Sequence, residues 1–170
     1  MIRWVLWLVV AGGVGTGFGS GLVSCSIYHK ARADLPPDGL ERIALRIRQA
    51  GDIAAEAAAD IQHTADDLAA RPPRLTMSEA GGIVQSWGWE LARRADSVRD
   101  AITKTGADLP ASGVFLAAAD RAVVRLDASA TALNRGLPEG PGSLTDCREA
   151  LDAVAAAAAE AVKAIRAENN

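Results

Sequence analysis

The chain has 170 residues, a formal charge of −3, 49% hydrophobic and 4% aromatic residues, and two cysteines. That length suits a membrane segment followed by one domain of about 140 residues. Mild acidity with both signs interspersed argues against a nucleic-acid partner, and two cysteines are too few for a disulfide framework.

The first predicted element is an anchor. Residues 4 to 28 carry no charged side chain, and only Arg3 precedes them. As an uncleaved helix this stretch would span the ~30 Å hydrocarbon core, with Trp4, Trp7 and Tyr28 near the two interfaces. Gly13, Gly15, Gly17, Gly19 and Gly21 alternate without a break. Gly13 with Gly17, and Gly17 with Gly21, form overlapping small-xxx-small pairs that let membrane helices approach closely. The run resembles the glycine repeat of rotor-ring subunits of rotary ATP synthases. That family's second membrane helix and ion-binding carboxylate have no counterpart here, so its function does not carry over. Arg3 on one side is opposed by Lys30 and Arg32 on the other, so charge does not fix the orientation.

The same residues also have the parts of a secretory signal: a basic start at Arg3, an apolar core over residues 4–10, and small residues beyond it. Leu22-Val23-Ser24-Cys25 resembles the lipobox of bacterial lipoproteins. The resemblance implies diacylglycerol on Cys25 and removal of residues 1–24. Ser26 would then be the second residue of the mature chain, which in that family does not signal inner-membrane retention. Each buried acyl methylene contributes about 0.8 kcal/mol, so several chains on one cysteine anchor durably. An ordinary signal peptide cut near Ser20 or Ser24 is a third reading.

A tether over residues 26–37 leads to an alanine-rich helical domain over 38–170. Its first helix is expected to open on a capping box, Asp38 with Glu41. Leu40, Ile43, Ile47, Ala50, Ala54, Ala57, Ile61, Thr64 and Leu68 then recur in 3-4 alternation. They form one stripe on a helix of about 32 residues and near 48 Å, which Pro72 and Pro73 end. A second capping box, Thr76 with Glu79, opens a helix striped by Val84, Gly88, Leu91, Ala95, Val98 and Ile102. Gly106 and Pro110 are expected to close it. The third helix is expected from about Ser112, with Leu116, Ala119, Val123, Leu126, Ala130 and Leu133 inward. Gly136 and a loop reaching Gly142 follow. The fourth opens at Ser143, with Asp146 at its third position, and buries Leu144, Cys147, Leu151, Val154, Ala158, Ala161 and Ile165.

No segment has a strand pattern, so the chain is expected to be all-α: an N-terminal membrane segment, then an antiparallel four-helix bundle. An extended pair of helical hairpins is the alternative. Ala50, Ala54 and Ala57 should meet residues 155–161 if the first and fourth helices are antiparallel neighbours. Alanine buries little apolar area, so modest stability, helped by self-association or a partner, is expected.

Few residues suggest chemistry. Asp60 and His63 have the i, i+3 spacing of di-iron bundles, flanked by Glu56 and Asp67, but no second pair exists and His29 lies at the tether. A solvated acidic face is the expected reading, with no metal or other cofactor. Trp87 and Trp89, about 200° apart on a helix, cannot both enter one core. Trp87 is the nearer to the stripe, so Trp89 is the expected contact for a membrane or a protein partner. Cys147 falls on a stripe and reads as a buried small hydrophobe, with no histidine nearby for catalysis; a Cys25–Cys147 disulfide is a minor alternative. Lys30, Arg32, Arg42, Arg46 and Arg48 make the domain's start basic, diluted by Asp34, Asp38 and Glu41.

The expected function is non-enzymatic: an exported, membrane-tethered helical scaffold, adaptor or accessory subunit of a cell-envelope assembly. Its partners would be membrane lipid and a protein or a second copy, with no nucleic acid or small-molecule substrate. The rival is a single-span membrane protein oligomerising through glycines 13 to 21, as a small subunit of a membrane complex or a phage lysis protein resembling spanins or holins.

Overall fold

The computed structural model describes residues 37–168, all within the second of the two units into which the chain divides, Pro36–Asn170. They form four helices and no strand: α1 Pro37–Ala69, α2 Met77–Thr105, α3 Pro110–Asn134 and α4 Gly140–Glu168. The proposed anchor, with Cys25 and glycines 13 to 21, lies outside the described residues, as do tether residues 26–36 and the Asp38 side chain of the first capping box. No described helix is long and apolar enough to cross a membrane.

Each helix packs on its neighbours in sequence, and α1 packs on α4 to close a ring. The expected bundle is therefore what forms, and extended hairpins are excluded. Cross-helix contacts fix the directions. Arg46 reaches Ser97 and Asp60 meets Trp87, so α1 and α2 run antiparallel. Arg99 meets Asp120, while Gly88 faces Leu126, which sets α3 against α2. Ser129 meets Ser143 and Cys147 meets Arg125 between α3 and α4. Glu41 meets Arg166 and Gln62 meets Arg148 between α4 and α1.

Local chemistry explains most boundaries. Thr76 caps α2 as expected: its hydroxyl accepts from the Glu79 N–H at 3.2 Å, and the Glu79 carboxylate accepts from the Thr76 N–H at 2.8 Å. The bond from the Thr76 N–H, and a second that the Thr76 hydroxyl donates to the same oxygen at 2.8 Å, hold the Glu79 carboxyl below its ordinary value of 4.5. Gly106 ends α2 in the left-handed region, φ 64°, its N–H donating to the Ile102 carbonyl at 2.9 Å. The turn after α1 is closed by Arg74, whose N–H donates to the Asp67 carbonyl at 3.0 Å.

Three boundaries differ from expectation. Helix α1 opens at Pro37, the last residue assigned to the tether, so Asp38 lies within its first turn and not at its N-cap. Pro110 does not close α2; it opens α3, where its missing N–H has no partner to lose. Likewise Gly140, Pro141 and Gly142 belong to α4 and not to the preceding loop, because proline is tolerated in a first turn. The connecting segments are accordingly shorter, down to four residues between α2 and α3.

The core follows the stripes on α1, α2 and α4: Ile43, Ile47, Ala50, Ala54, Ala57 and Ile61 on α1 are all buried, as are Leu144, Cys147, Leu151, Val154, Ala158 and Ile165 on α4. Leu40, Leu68 and Ile102, at stripe ends, are half-buried. On α3 the expected Ala119, Leu126, Ala130 and Leu133 are buried, but two positions of the stripe shift by one residue. Phe115 and Ala122 are fully buried, while Leu116 and Val123 lie at the margin. Ser129, also buried, bonds to the Ser143 hydroxyl at 2.6 Å, so the α3–α4 seam is narrower and more polar than a leucine–valine stripe would make it.

Candidate functional site

The Trp87-Gly88-Trp89 segment lies mid-way along α2, and helical spacing turns its two indoles to different sides. Trp87 leans toward α1, half-buried, and its Nε1–H donates to Asp60 Oδ2 at 2.7 Å. A buried or half-buried indole needs such a partner, so Trp87 serves the fold. Trp89 stands 70% exposed.

Gly88, between them, is buried against α3 and has no side chain to fill the space above Leu126. The result is a groove of about 260 Å³ between α2 and α3, its walls mainly Gly88, Trp89, Ala92, Val123 and Val124, with Gln85 and Asp127 as the polar lining residues. Val124 on its rim is 69% exposed. Trp89 stands outside and Gly88 is buried, as their spacing predicts, whereas Val123 lies at the margin and not in the core, and Val124 is a rim residue that the stripe does not mark. The available signal was that adjacent Val123 and Val124 cannot both point inward on a helix.

Beyond the groove the α2 surface is laced by ion pairs. Glu90 accepts from Arg93 at 2.7 Å and from Arg94 at 2.8 Å, and the hydrogen bonds from Arg93 in particular hold its carboxyl below the usual range. Arg99 bridges Asp120 on α3 and Asp96 on its own helix, which pushes its guanidinium further up, Asp120 contributing most.

The other singled-out residues do not assemble into a reactive centre. Asp60 is engaged by Trp87, and His63 projects into solvent, 3.6 Å from Asp67. Among the described residues no group of three His, Cys, Asp or Glu side chains could hold a metal ion. Cys147 is a free, buried thiol; burial pushes its pKa up, and its Sγ–H donates to the Arg125 carbonyl at 3.5 Å. Arg46, counted in the basic start, ties α1 to α2 through the Ser97 carbonyl at 2.7 Å and hydroxyl at 2.9 Å. No family model, curated protein or solved structure is similar to this chain.

Proposed function

We propose that the chain is a non-enzymatic helical scaffold or accessory subunit, held at a membrane of the cell envelope by lipid on Cys25 and recognising a protein through the Trp89 groove. The observation that carries the recognition half is Trp89 itself. A 70%-exposed tryptophan beside an unfilled apolar groove is the combination enriched at binding hot spots. Support for the tether comes from the uncharged stretch over residues 4–28 and its lipobox-like end at Cys25.

Replacing Cys25 with alanine tests the tether. The C25A chain is expected to leave the membrane fraction or to accumulate unprocessed. An unchanged distribution would instead favour the second reading, a spanning helix packed through the alternating glycines at 13, 15, 17, 19 and 21. In that case Gly17→Leu should dissociate a membrane oligomer that C25A leaves intact.

A further inference from the structure

Helix α3 is apolar on two sides. Its inner side carries Phe115, Ala119, Leu126 and Leu133, all buried, while Val124 (69%) stands exposed on its outer side with Ala117 and Thr131 seven positions either way, and Val114 (64%) is exposed nearer the edge toward α4. A helix with apolar residues outward as well as inward calls for a further surface to cover it.

The outer side is edged by opposite charges. Arg121 and Arg125 lie along the edge toward α4, where they outnumber the single carboxylate of Glu149 in a groove of about 240 Å³ that Ala118, Ala150 and Ala153 also line. Asp120 and Asp127 lie along the edge toward α2: Asp120 pairs with Arg99, and Asp127 lines the Trp89 groove. Among the described residues neither Arg121 nor Asp127 has an ion-pair partner, whereas Glu90, Arg93, Arg94 and Arg99 all do. Trp89 stands on the acidic side at about the level of Arg125, because its neighbour Gly88 lies against Leu126.

We propose that this face binds a second copy of the chain, with the two α3 helices parallel about a two-fold axis running along them. The charge edges select this arrangement. Two copies related by such an axis set the Arg121–Arg125 edge of each over the Asp120–Asp127 edge of the other. An antiparallel pairing would set arginine on arginine and aspartate on aspartate, which opposes association. Because the axis preserves height, Trp89 of each copy also falls on the α3–α4 groove of the other, where the Arg125 guanidinium can lie over the indole and Ala118 and Ala150 provide an apolar floor. The contact is isologous and closes at two copies. It rests on the bundle surface alone, so it stands or falls independently of the lipid tether.

Disulfide crosslinking of the full-length chain in membranes tests the register, with the parent chain as control for Cys25 and Cys147. Ala117→Cys and Thr131→Cys, both exposed sites, are each expected to link two copies at the same position, 117 to 117 and 131 to 131. Links only between 117 and 131, in chains carrying both substitutions, would show the antiparallel pairing and overturn the proposal, as would the absence of any link beyond the parent's. In detergent, sedimentation of the parent should show a monomer–dimer equilibrium. Trp89→Gln should weaken it about 30-fold, a hot-spot-sized loss, with helicity unchanged. A parent that stays monomeric at every concentration, including one that captures some other protein through Trp89, or a Trp89→Gln chain that dimerises like the parent, would contradict the proposal.

Discussion

Gly51 on α1 lies so close to Ala158 on α4 that a Cβ built on Gly51 would stand 2.6 Å from the Ala158 Cβ. Large core residues sit to either side of this point, with Ile43, Ile47 and Ile61 on α1 and Leu151 and Ile165 on α4. The bundle thus has a waist where Ala50, Ala54 and Ala158 replace the isoleucines and leucines of its ends. Gly51→Ala should therefore destabilise the domain despite better helix propensity. Overpacking costs about 1–3 kcal/mol, against the roughly 1 kcal/mol that alanine gains over glycine in a helix. Gly82→Ala, with nothing within 4 Å of the new Cβ, should instead stabilise by about 0.5–1 kcal/mol. Denaturant unfolding followed by circular dichroism distinguishes the two, and a double-mutant cycle with Ala158→Gly should show that the Gly51→Ala penalty needs the Ala158 methyl.

Ser112 offers a gain of a different kind. Its hydroxyl is buried and is the one buried side-chain polar atom without a hydrogen-bond partner among the described residues. An unsatisfied buried donor costs about 1–3 kcal/mol, so Ser112→Ala is expected to raise the unfolding midpoint. A lowered midpoint would mean that the hydroxyl is satisfied in solution.

Glu79 makes the α2 cap sensitive to acid. Its hydrogen bonds with Thr76 hold its pKa below the ordinary 4.5. A carboxylate depressed in the folded state adds stability that is complete above its unfolded value and is lost as pH falls through the lowered folded value. The melting midpoint of the parent should thus exceed that of Glu79→Gln at neutral pH. The two should converge on acidification below about 4.5.

Cys147 should be inert in the folded chain. It is buried, and burial raises its pKa, so little thiolate forms and access is blocked. Alkylation at mildly alkaline pH, read from the mass of the peptide carrying Cys147, should be slow in native protein and fast after denaturation. Rapid native labelling would show local opening of the α3–α4 seam.

Much of this architecture was legible in the residues alone. On α1, α2 and α4 the apolar positions alternate in threes and fours with charges opposite, so one inward face is unambiguous. Thr76 with Glu79 and the single Gly106 mark the ends of α2 by chemistry specific to caps. On α3 the stripe holds at Ala119, Leu126, Ala130 and Leu133 but not at Leu116 and Val123, which are as apolar as their buried neighbours Phe115 and Ala122, so the helical period there has no clear phase. Pro110 resembles a helix terminator, and Pro141 between two glycines resembles a loop, yet both stand in first turns, which accept proline. Gly51 carried no local signal, since what makes it necessary is a residue more than one hundred positions away. The same limit applies to the groove: the spacing of Trp87 and Trp89 put one indole outside, but only the packing of α3 shows that Gly88 leaves a space beside it.

The groove can be filled without disturbing the core. A Cβ on Gly88 would lie 3.5 Å from the Leu126 Cβ, an ordinary contact. Gly88→Ala should fold as well as the parent, and bulkier Gly88→Leu should occupy the groove and displace whatever binds at Trp89. Circular dichroism together with crosslinking in membranes checks both halves of this expectation.

The most direct test of tethering is the intact mass of the protein recovered from membranes. A chain that has lost residues 1–24 and gained acyl mass on Cys25 is the expected result. An unacylated chain retaining Met1, or full recovery from the soluble fraction, would contradict it.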